Sequence, residues 1–181
     1  MAEKPKILTQ KIVAESRIFK IEQIDLMFGN GEQRQFERIS GKRGVGTVLM
    51  VPILNNDTLI LIREYGVGLE RYELALPKGI LESGENTVDA ANRELKEEIG
   101  YGAQQLVLLK TISSAPGYSS SQMHIVLAQD LYPERLVGDE PEPIEVVPWP
   151  LNQVGELLQR DDFTEARSIA ALFLALQHLQ N

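Results

Sequence analysis

The sequence predicts an α+β fold in which helices cover the faces of a mixed β-sheet and an antiparallel β appendage precedes it. Three observations lead to this prediction. The first 43 residues are rich in β-forming residues, strand-like and helix-like segments alternate after them, and residues 79–101 carry apolar residues at a helical spacing. This order of elements is typical of an α+β domain with a separate N-terminal region.

The N-terminal region has the pattern of a β-hairpin. Ile18–Phe28 and Glu32–Ile39 are predicted strands, and Gly29-Asn30-Gly31 joins them with the strong turn signal Asn-Gly. The boundary with the main domain is predicted at Gly41-Lys42-Arg43-Gly44, which divides the chain into residues 1–43 and 44–181.

The main domain begins with a second predicted hairpin, formed by Gly46–Leu54 and Thr58–Arg63 around the turn cluster Asn55-Asn56-Asp57. The later predicted strands are 105–112, 122–128 and 144–148, and the later predicted helices are 151–158 and 163–179. The last helix is expected to face a core through Ile169, Leu172, Leu176 and Leu179.

Composition limits the possible functions. The chain has 181 residues, enough for a sizeable core, and no cysteine, so disulfides and thiol catalysis are excluded. The N-terminus has no signal-peptide pattern and no apolar run is long enough to span a bilayer, so a soluble cytoplasmic protein is expected. The net charge of −8 argues against a broad nucleic-acid surface.

The helix within residues 79–101 has two faces with different chemistry. Its apolar face is predicted to contain Val88, Ala91, Leu95 and Ile99. Glu94, Glu97 and Glu98 have the spacing i, i+3 and i+4, so their carboxylates are expected to converge. At about 4 Å and an effective dielectric near 20, each like-charged pair costs roughly 4 kcal/mol. Such a cluster needs cations, and oxygen ligands suit Mg²⁺ or Mn²⁺.

The start of this helix is also predicted. Asn86 is a suitable N-cap, and Gly79 and Gly84 bracket a tight loop whose backbone can approach a diphosphate or a metal. Glu85 and Arg93 lie on other faces of the helix and are interpreted as an ion pair that fixes the loop against the helix, although an ordinary surface salt bridge is the alternative for the pair taken alone.

The residues just described follow the pattern G-x5-E-x7-R-E-U-x-E-E-x-G, which resembles the Nudix box of the Nudix hydrolases. The chance of such a match in a chain of this length is on the order of one in a million. The resemblance continues outside the box in Leu76-Pro77-Lys78-Gly79 and Ile62-Arg63-Glu64-Tyr65. Pro116, 15 residues after Tyr101, resembles a marker of the ADP-ribose pyrophosphatase branch, and REYGVG, NRELKEE, AQDLYPE and GDEPEP look closest to ADP-compounds hydrolases.

The resemblance implies a Nudix fold and the hydrolysis of a diphosphate linked to an adenosine moiety. ADP-ribose, NADH and diadenosine oligophosphates are the implied substrates, and AMP and ribose 5-phosphate are the implied products from ADP-ribose. Two or more Mg²⁺ or Mn²⁺ ions would be held by Glu94, Glu97, Glu98 and the backbone carbonyl of Lys78. The N-terminal region is implied to form a homodimer and to contribute to substrate binding.

The implied general base lies in the acidic loop Gly138-Asp139-Glu140-Pro141-Glu142-Pro143. Glu140 is the preferred base and Glu142 a further metal contact, whereas a solvated loop without a role and Glu97 as base are the alternatives. The predicted catalytic residues are therefore Glu97, Glu98 and Glu140.

Substrate contacts are expected from arginines, because a guanidinium suits bidentate phosphate binding. The predicted substrate-binding residues are Arg38, Arg63, Arg71, Pro116 and Tyr118. For each arginine a surface role is the alternative, and for Tyr118, or for Phe36 in its place, the alternative to stacking on adenine is packing. His124 and His178 are assigned no chemistry.

Three positions depart from the family pattern. Tyr101 replaces an aliphatic residue, Lys78 replaces a small residue before Gly79, and Gly66 stands where the branch often has an arginine. None of these removes a predicted metal ligand. Lys78 adds a positive charge beside the diphosphate or points into solvent.

Two other function classes fit the sequence less well. A non-catalytic module that senses a nucleotide and regulates a partner does not need all three box glutamates. An isomerase of the isopentenyl diphosphate type would need a catalytic cysteine, which the chain lacks.

Overall fold

The computed structural model of this protein describes residues 3–40 and 46–180, and the chain divides into two compact units. The first unit combines the N-terminal 45 residues with residues 113–122, and the second contains residues 46–112 and 123–181. The boundary predicted between residues 43 and 44 lies outside the described residues.

The first unit contains an antiparallel sheet with the order β1-β2-β3. Its strands are β1 (Lys6–Glu15), β2 (Lys20–Met27) and β3 (Gln33–Ser40). The predicted hairpin of β2 and β3 is confirmed, but β1 was not predicted. The reason is visible in its pairing with β2, which shifts register twice, so the side chains of β1 do not follow the period of two that identifies a strand.

The second unit contains the predicted mixed sheet, with seven strands in the described residues. They are β4 (Thr47–Leu54), β5 (Thr58–Gly66), β6 (Arg71–Ala75), β7 (Lys78–Ile80), β8 (Tyr101–Ser113), β9 (Gln122–Pro133) and β10 (Glu145–Pro150). The main order is β10-β5-β4-β9-β8, with β6 beside β5 and β7 beside β4. The pair β4 and β9 is parallel, whereas β5, β6, β7 and β10 pair antiparallel with their neighbours. The short strands β6 and β7 were not predicted.

The helices of the second unit are α1 (Thr87–Glu98), α2 (Val154–Leu157) and α3 (Ala166–Leu179), and a 3₁₀ turn (Leu151–Gln153) precedes α2. All three lie within segments predicted to be helical. None of the described helices has the length and apolar character needed to cross a bilayer.

Strand β4 separates two hydrophobic cores because its successive side chains point to opposite faces of the sheet. Val48 and Met50 belong to the core that α1 covers, where Leu95 is fully buried. Leu49 and Val51 belong to the core that contains residues of α2 and α3. The first of these cores holds helix α1 against the sheet and thereby fixes the direction of its acidic face.

Two predicted core positions are wrong. Val88 is 38% exposed, and Ala90 is buried instead. In the last helix Leu179 is 39% exposed, because the final turn extends beyond the core, and the buried residues of this helix are Ser168, Ala171, Leu172 and Ala175.

Candidate active site

The loop between β6 and α1 is anchored both to α3 and to the sheet. The Leu76 N–H donates to the Ser168 hydroxyl on α3 at 3.0 Å, and the Met50 N–H donates to the Pro77 carbonyl at 2.9 Å. Next along the chain, β7 pairs Lys78 with Leu49 and Gly79 with Val48. The backbone around Lys78 and Gly79 is therefore fixed by both the sheet and α3.

Helix α1 begins where the capping pattern predicted. The Asn86 side chain accepts hydrogen bonds from the Val88 and Asp89 N–H groups, both at 3.0 Å, and thus satisfies donors that the first helical turn leaves free.

Glu85 and Arg93 form a bidentate ion pair. Arg93 Nε lies 3.0 Å from Glu85 Oε1, and Arg93 Nη2 lies 3.0 Å from Glu85 Oε2. The same guanidinium donates to the Ile80 carbonyl at 3.0 Å. The pair connects the loop to α1 and is partly buried, which favours a positioning role over that of a surface salt bridge.

The three box glutamates line one cavity of about 650 Å³. Its other lining residues are Lys78–Glu82, Arg93 and Val137–Glu140. The acidic face of α1 therefore meets the loop that begins with Lys78 and the acidic loop after β9 in a single cavity.

Glu98 is the most buried of the three carboxylates. Its side chain accepts the Lys78 N–H at 3.0 Å, and the residue is 6% exposed. Burial raises the pKa of the Glu98 carboxyl to about 8, against the opposing effect of the Lys78 ammonium and the Lys78 N–H.

Glu94 and Glu97 share the Arg93 guanidinium. Arg93 Nη1 lies 2.9 Å from Glu94 Oε1 and 3.0 Å from Glu97 Oε2, and the Ile80 N–H donates to Glu94 at 3.2 Å. Burial raises the pKa of Glu94, although Arg93 opposes this effect.

The sequence predicted that the three carboxylates converge on one point, and the arrangement differs from that expectation. Among residues 3–40 and 46–180, no three Asp, Glu, His or Cys side chains have the arrangement of a formed metal site. Instead, Glu94 and Glu97 both accept from Arg93, and Glu98 accepts a backbone N–H group.

The donor set nevertheless fits a divalent cation. In the described part of the chain the buried Glu98 carboxylate accepts one backbone N–H and makes no ion pair, so its charge is only partly compensated. All the acidic groups offer oxygen atoms, which hard divalent cations prefer. Glu94, Glu97 and Glu98 would hold such an ion.

The acidic loop reaches the same cavity. Glu140 lines it and also lines a neighbouring cavity of about 300 Å³ that contains Arg63, Glu64, Tyr65 and Tyr72. Burial, followed by the charges of Glu64 and Asp139, raises the pKa of Glu140.

Glu142 lies at a different position in the loop. It accepts a hydrogen bond from the Tyr72 hydroxyl at 2.7 Å, and it lines a cavity of about 410 Å³ that also includes the three box glutamates.

The predicted arginines of the second unit are held by carboxylates. Arg63 Nη1 lies 2.9 Å from Asp162, and Arg63 Nε lies 3.1 Å from Glu145. Arg71 pairs with Glu73 and donates to the Asp161 carbonyl at 3.0 Å. Arg63 lines the 300 Å³ cavity with Glu140, whereas Arg71 lines a separate cavity that contains none of the box glutamates.

The other predicted substrate residues belong to the first unit. Arg38 pairs with Glu22 at 2.8 Å. Pro116 lies in the turn before Tyr118, whose side chain is 60% exposed and whose carbonyl accepts the Ile39 N–H at 2.7 Å. Each of these contacts joins two residues of the first unit.

Two residues near the cavities were missed. Glu64 forms an ion pair with the Lys78 ammonium at 2.6 Å, and Tyr72 holds Glu142. A signal for Glu64 is present in the segment Ile62-Arg63-Glu64-Tyr65, which carries part of the resemblance to the Nudix hydrolases. No signal marked Tyr72, because β6 was not predicted.

Comparison with known proteins finds a family, related sequences and a related structure. Residues 45–172 match the NUDIX domain family, and residues 5–38 match the NudE-type Nudix hydrolase N-terminal domain. The chain is 53% identical to the ADP compounds hydrolase NudE of Escherichia coli (strain K12), over 98% of this chain and 95% of that protein. It is 28% identical to an ADP-ribose pyrophosphatase of Bacillus subtilis (strain 168), over 97% and 95%. A solved structure, described as a crystal structure of ADP compounds hydrolase, superimposes with a TM-score of 0.93 at 52% identity, over 99% of this chain and 96% of that one.

Proposed function

This chain belongs to the Nudix hydrolase family, and from that membership and the acidic cavity we propose that it hydrolyses the diphosphate linkage of ADP-containing compounds with release of AMP. The observation that carries the proposal is the meeting of Glu94, Glu97 and Glu98 with Gly79 in one cavity. The names of its relatives support an ADP-linked substrate. ADP-ribose, NADH and diadenosine oligophosphates are the proposed substrates.

Nudix hydrolases depend on divalent metal ions. We propose Mg²⁺ or Mn²⁺, two or more in each site, with Glu94, Glu97, Glu98, Glu142 and the Lys78 carbonyl as ligands. The chemistry that these ions supply when bound is neutralisation of the negative charge that develops on the diphosphate during hydrolysis. The buried Glu98 carboxylate, whose charge is only partly compensated, supports this assignment.

The residues of the chain have distinct roles in the proposed reaction. Gly79 and the pair formed by Glu85 and Arg93 position the box glutamates against the loop. Glu140 removes a proton from the attacking water, with Glu97 as the alternative base. The position of Glu140 in two adjoining cavities and its raised pKa, which makes it a stronger base, support this role.

Water attacks one phosphorus atom of the diphosphate, the bond from that phosphorus to the bridging oxygen breaks, and two phosphorylated products leave, one of them AMP. From ADP-ribose these products are AMP and ribose 5-phosphate. The proposed substrate contacts remain Arg38, Arg63, Arg71, Pro116 and Tyr118. For Arg63 the support is its place beside Glu140, and for Tyr118 it is an exposed ring.

The decisive experiment measures AMP release by the purified protein with Mg²⁺ or Mn²⁺. The panel consists of ADP-ribose, NADH, diadenosine triphosphate and ADP-glucose. Metal-dependent turnover of at least one compound is expected, and no turnover of any compound would overturn the proposal in favour of a nucleotide-sensing module.

A homodimer is also proposed, with no membrane or nucleic-acid partner. The support is the exposed apolar surface of β1 and of the turn that follows it, where Ile7, Ile12 and Phe19 are about half exposed. Light scattering of the purified protein should give twice the mass of one chain, and Ile12→Asp should shift the mass toward one chain. A wild-type mass equal to one chain would contradict the dimer.

A further inference from the structure

An ion pair between Lys78 and Glu64 connects the two cavities that meet at Glu140. Lys78 lines the 650 Å³ cavity of the box glutamates, and Glu64 lines the 300 Å³ cavity that contains Tyr65 and Tyr72. The Lys78 ammonium lies 2.6 Å from the Glu64 carboxylate. The positive charge of the pair therefore lies at the junction of these cavities.

The backbone of Lys78 is fixed independently of its side chain. It pairs with Leu49 in the sheet, and its N–H donates to Glu98. The Lys78 side chain is 22% exposed, so most of its stem is covered. A substitution at this position can therefore change the ammonium while the backbone carbonyl and the N–H stay in place.

The two cationic side chains of the acidic cavity, Arg93 and Lys78, differ in how many of their hydrogen-bond donors already have partners. The Arg93 guanidinium donates to Glu85, Glu94, Glu97 and the Ile80 carbonyl, and so it is committed to holding the box together. An ammonium has three N–H donors. In the described residues the Lys78 ammonium makes one ion pair, with Glu64, which leaves donors for a ligand.

The surroundings of Lys78 are strongly acidic. The charge of Glu64 acts on both Glu98 and Glu140, and the Lys78 ammonium counteracts the effect of burial on the pKa of each of these two carboxyls. An anionic diphosphate that enters this region meets negative charge on most sides. A cation at the junction offsets that repulsion where the diphosphate passes.

We propose that the Lys78 ammonium binds a non-bridging oxygen of the substrate diphosphate at the junction of the two cavities. This inference rests on the proposed function. A substrate made of two groups joined by a diphosphate can place one group in each cavity only if its linkage crosses this junction. A lysine suits the position because its compact charge on a flexible stem can reach the phosphate and remain near Glu64.

The test compares Lys78→Met, Lys78→Arg and the control Lys110→Met. Lys110 is exposed on β8 and lines none of the cavities described above, so its substitution removes the same charge elsewhere. Hydrolysis of ADP-ribose gives kcat and KM, and calorimetry gives the affinity for a methylene-bridged analogue that cannot be hydrolysed. Thermal unfolding of each variant checks that it folds.

Lys78→Met is expected to weaken binding of the analogue by about 10- to 100-fold, the range of a charged hydrogen bond. KM should rise by a similar factor, Lys78→Arg should restore most of the affinity, and Lys110→Met should match the wild type. The Mg²⁺ concentration that gives half-maximal activity should not change, because the Lys78 carbonyl is retained.

Analogue affinity and KM within about twofold of the wild type in Lys78→Met would overturn this inference while leaving the proposed function intact. If Lys78→Met does not fold, the same affinity test applies to Lys78→Gln. An inactive wild type with every ADP compound is a separate outcome, which overturns the proposed function itself.

Discussion

Gly79 and Glu94 lie so close together that a side-chain carbon added at Gly79 would be 1.9 Å from the carboxyl carbon of Glu94. The carboxylate occupies the space that any other residue at position 79 would need. The neighbouring Ile80 N–H donates to the same carboxylate. The position of the Glu94 carboxylate therefore requires a glycine at position 79.

Gly79→Ala is expected to lower kcat/KM for ADP-ribose by at least about 100-fold, because the methyl group must displace the Glu94 carboxylate. Steady-state AMP release measures the effect. Gly155→Ala is the control, since nothing lies within 4 Å of the added carbon there. Activity close to the wild type in Gly79→Ala would show that Glu94 has no fixed role.

Glu98→Gln is expected to lose at least about two orders of magnitude in rate, roughly 2.7 kcal/mol of transition-state stabilisation. The amide keeps the size of the side chain and removes the negative charge proposed to bind metal. Glu156→Gln, on an exposed part of α2, is the control with the same charge change. A Glu98→Gln variant with normal activity would refute the metal assignment.

The same variant is expected to stabilise the metal-free protein at alkaline pH. The Glu98 carboxyl ionises near 4.5 when unfolded, and burial raises its pKa to about 8 in the folded state. Its contribution to stability is therefore fully present below pH 4.5 and is lost as the pH rises toward 8. Urea unfolding in the presence of a chelator should show that the wild type loses roughly 5 kcal/mol of unfolding free energy over this range, and that Glu98→Gln loses less. Equal pH slopes for the two proteins would contradict the pKa shift.

Glu140→Gln is expected to lower kcat by about 100-fold or more, because it removes the proposed base. The metal concentration that gives half-maximal activity should change less. The rate profile of the variant should also lose the decline at acidic pH that protonation of the base causes. Glu97→Gln, measured in the same assay, tests the alternative. The preference for the acidic loop is wrong if only Glu97→Gln is impaired.

Asp162 links two arginines near the 300 Å³ cavity, with contacts of 2.9 Å to Arg63 and 2.7 Å to Arg160. The hydrogen bond from Arg160, followed by that from Arg63, holds the pKa of Asp162 well below its usual range. The resulting stability is present above pH 3.8 and is lost as the pH falls through the lower folded value. Asp162→Asn should cost about 1–2 kcal/mol in urea unfolding at neutral pH and less in acid. Asp161→Asn, which keeps the backbone carbonyl bound by Arg71, should cost little.

Most strands and the three helices were predictable because their patterns are local. The hairpin of β4 and β5, for example, follows from two apolar runs around Asn55 and Asn56, which adopt the positive φ angles of 52° and 63° that asparagine tolerates. Strands β1, β6 and β7 were not predicted. Register shifts interrupt the pattern of β1, and β6 and β7 are too short to show one.

The sequence by itself determined the family, the helix that carries Glu94, Glu97 and Glu98, and the cap at Asn86. These features depend on spacings of a few residues, which the geometry of a helix converts directly into positions on one face. The proposed hydrolysis of a diphosphate linkage follows from the same residue types.

Only the tertiary structure decided what surrounds that helix. The pairs of Lys78 with Glu64 and of Tyr72 with Glu142 join residues separated by 14 and 70 positions in the chain. Such contacts depend on how strands align in the sheet and on where a loop lies after β9, and no local pattern encodes either. The contacts of Arg93 are of both kinds, because its pair with Glu97 follows from the i, i+4 spacing of the helix, whereas its hydrogen bond to the Ile80 carbonyl depends on the tertiary structure.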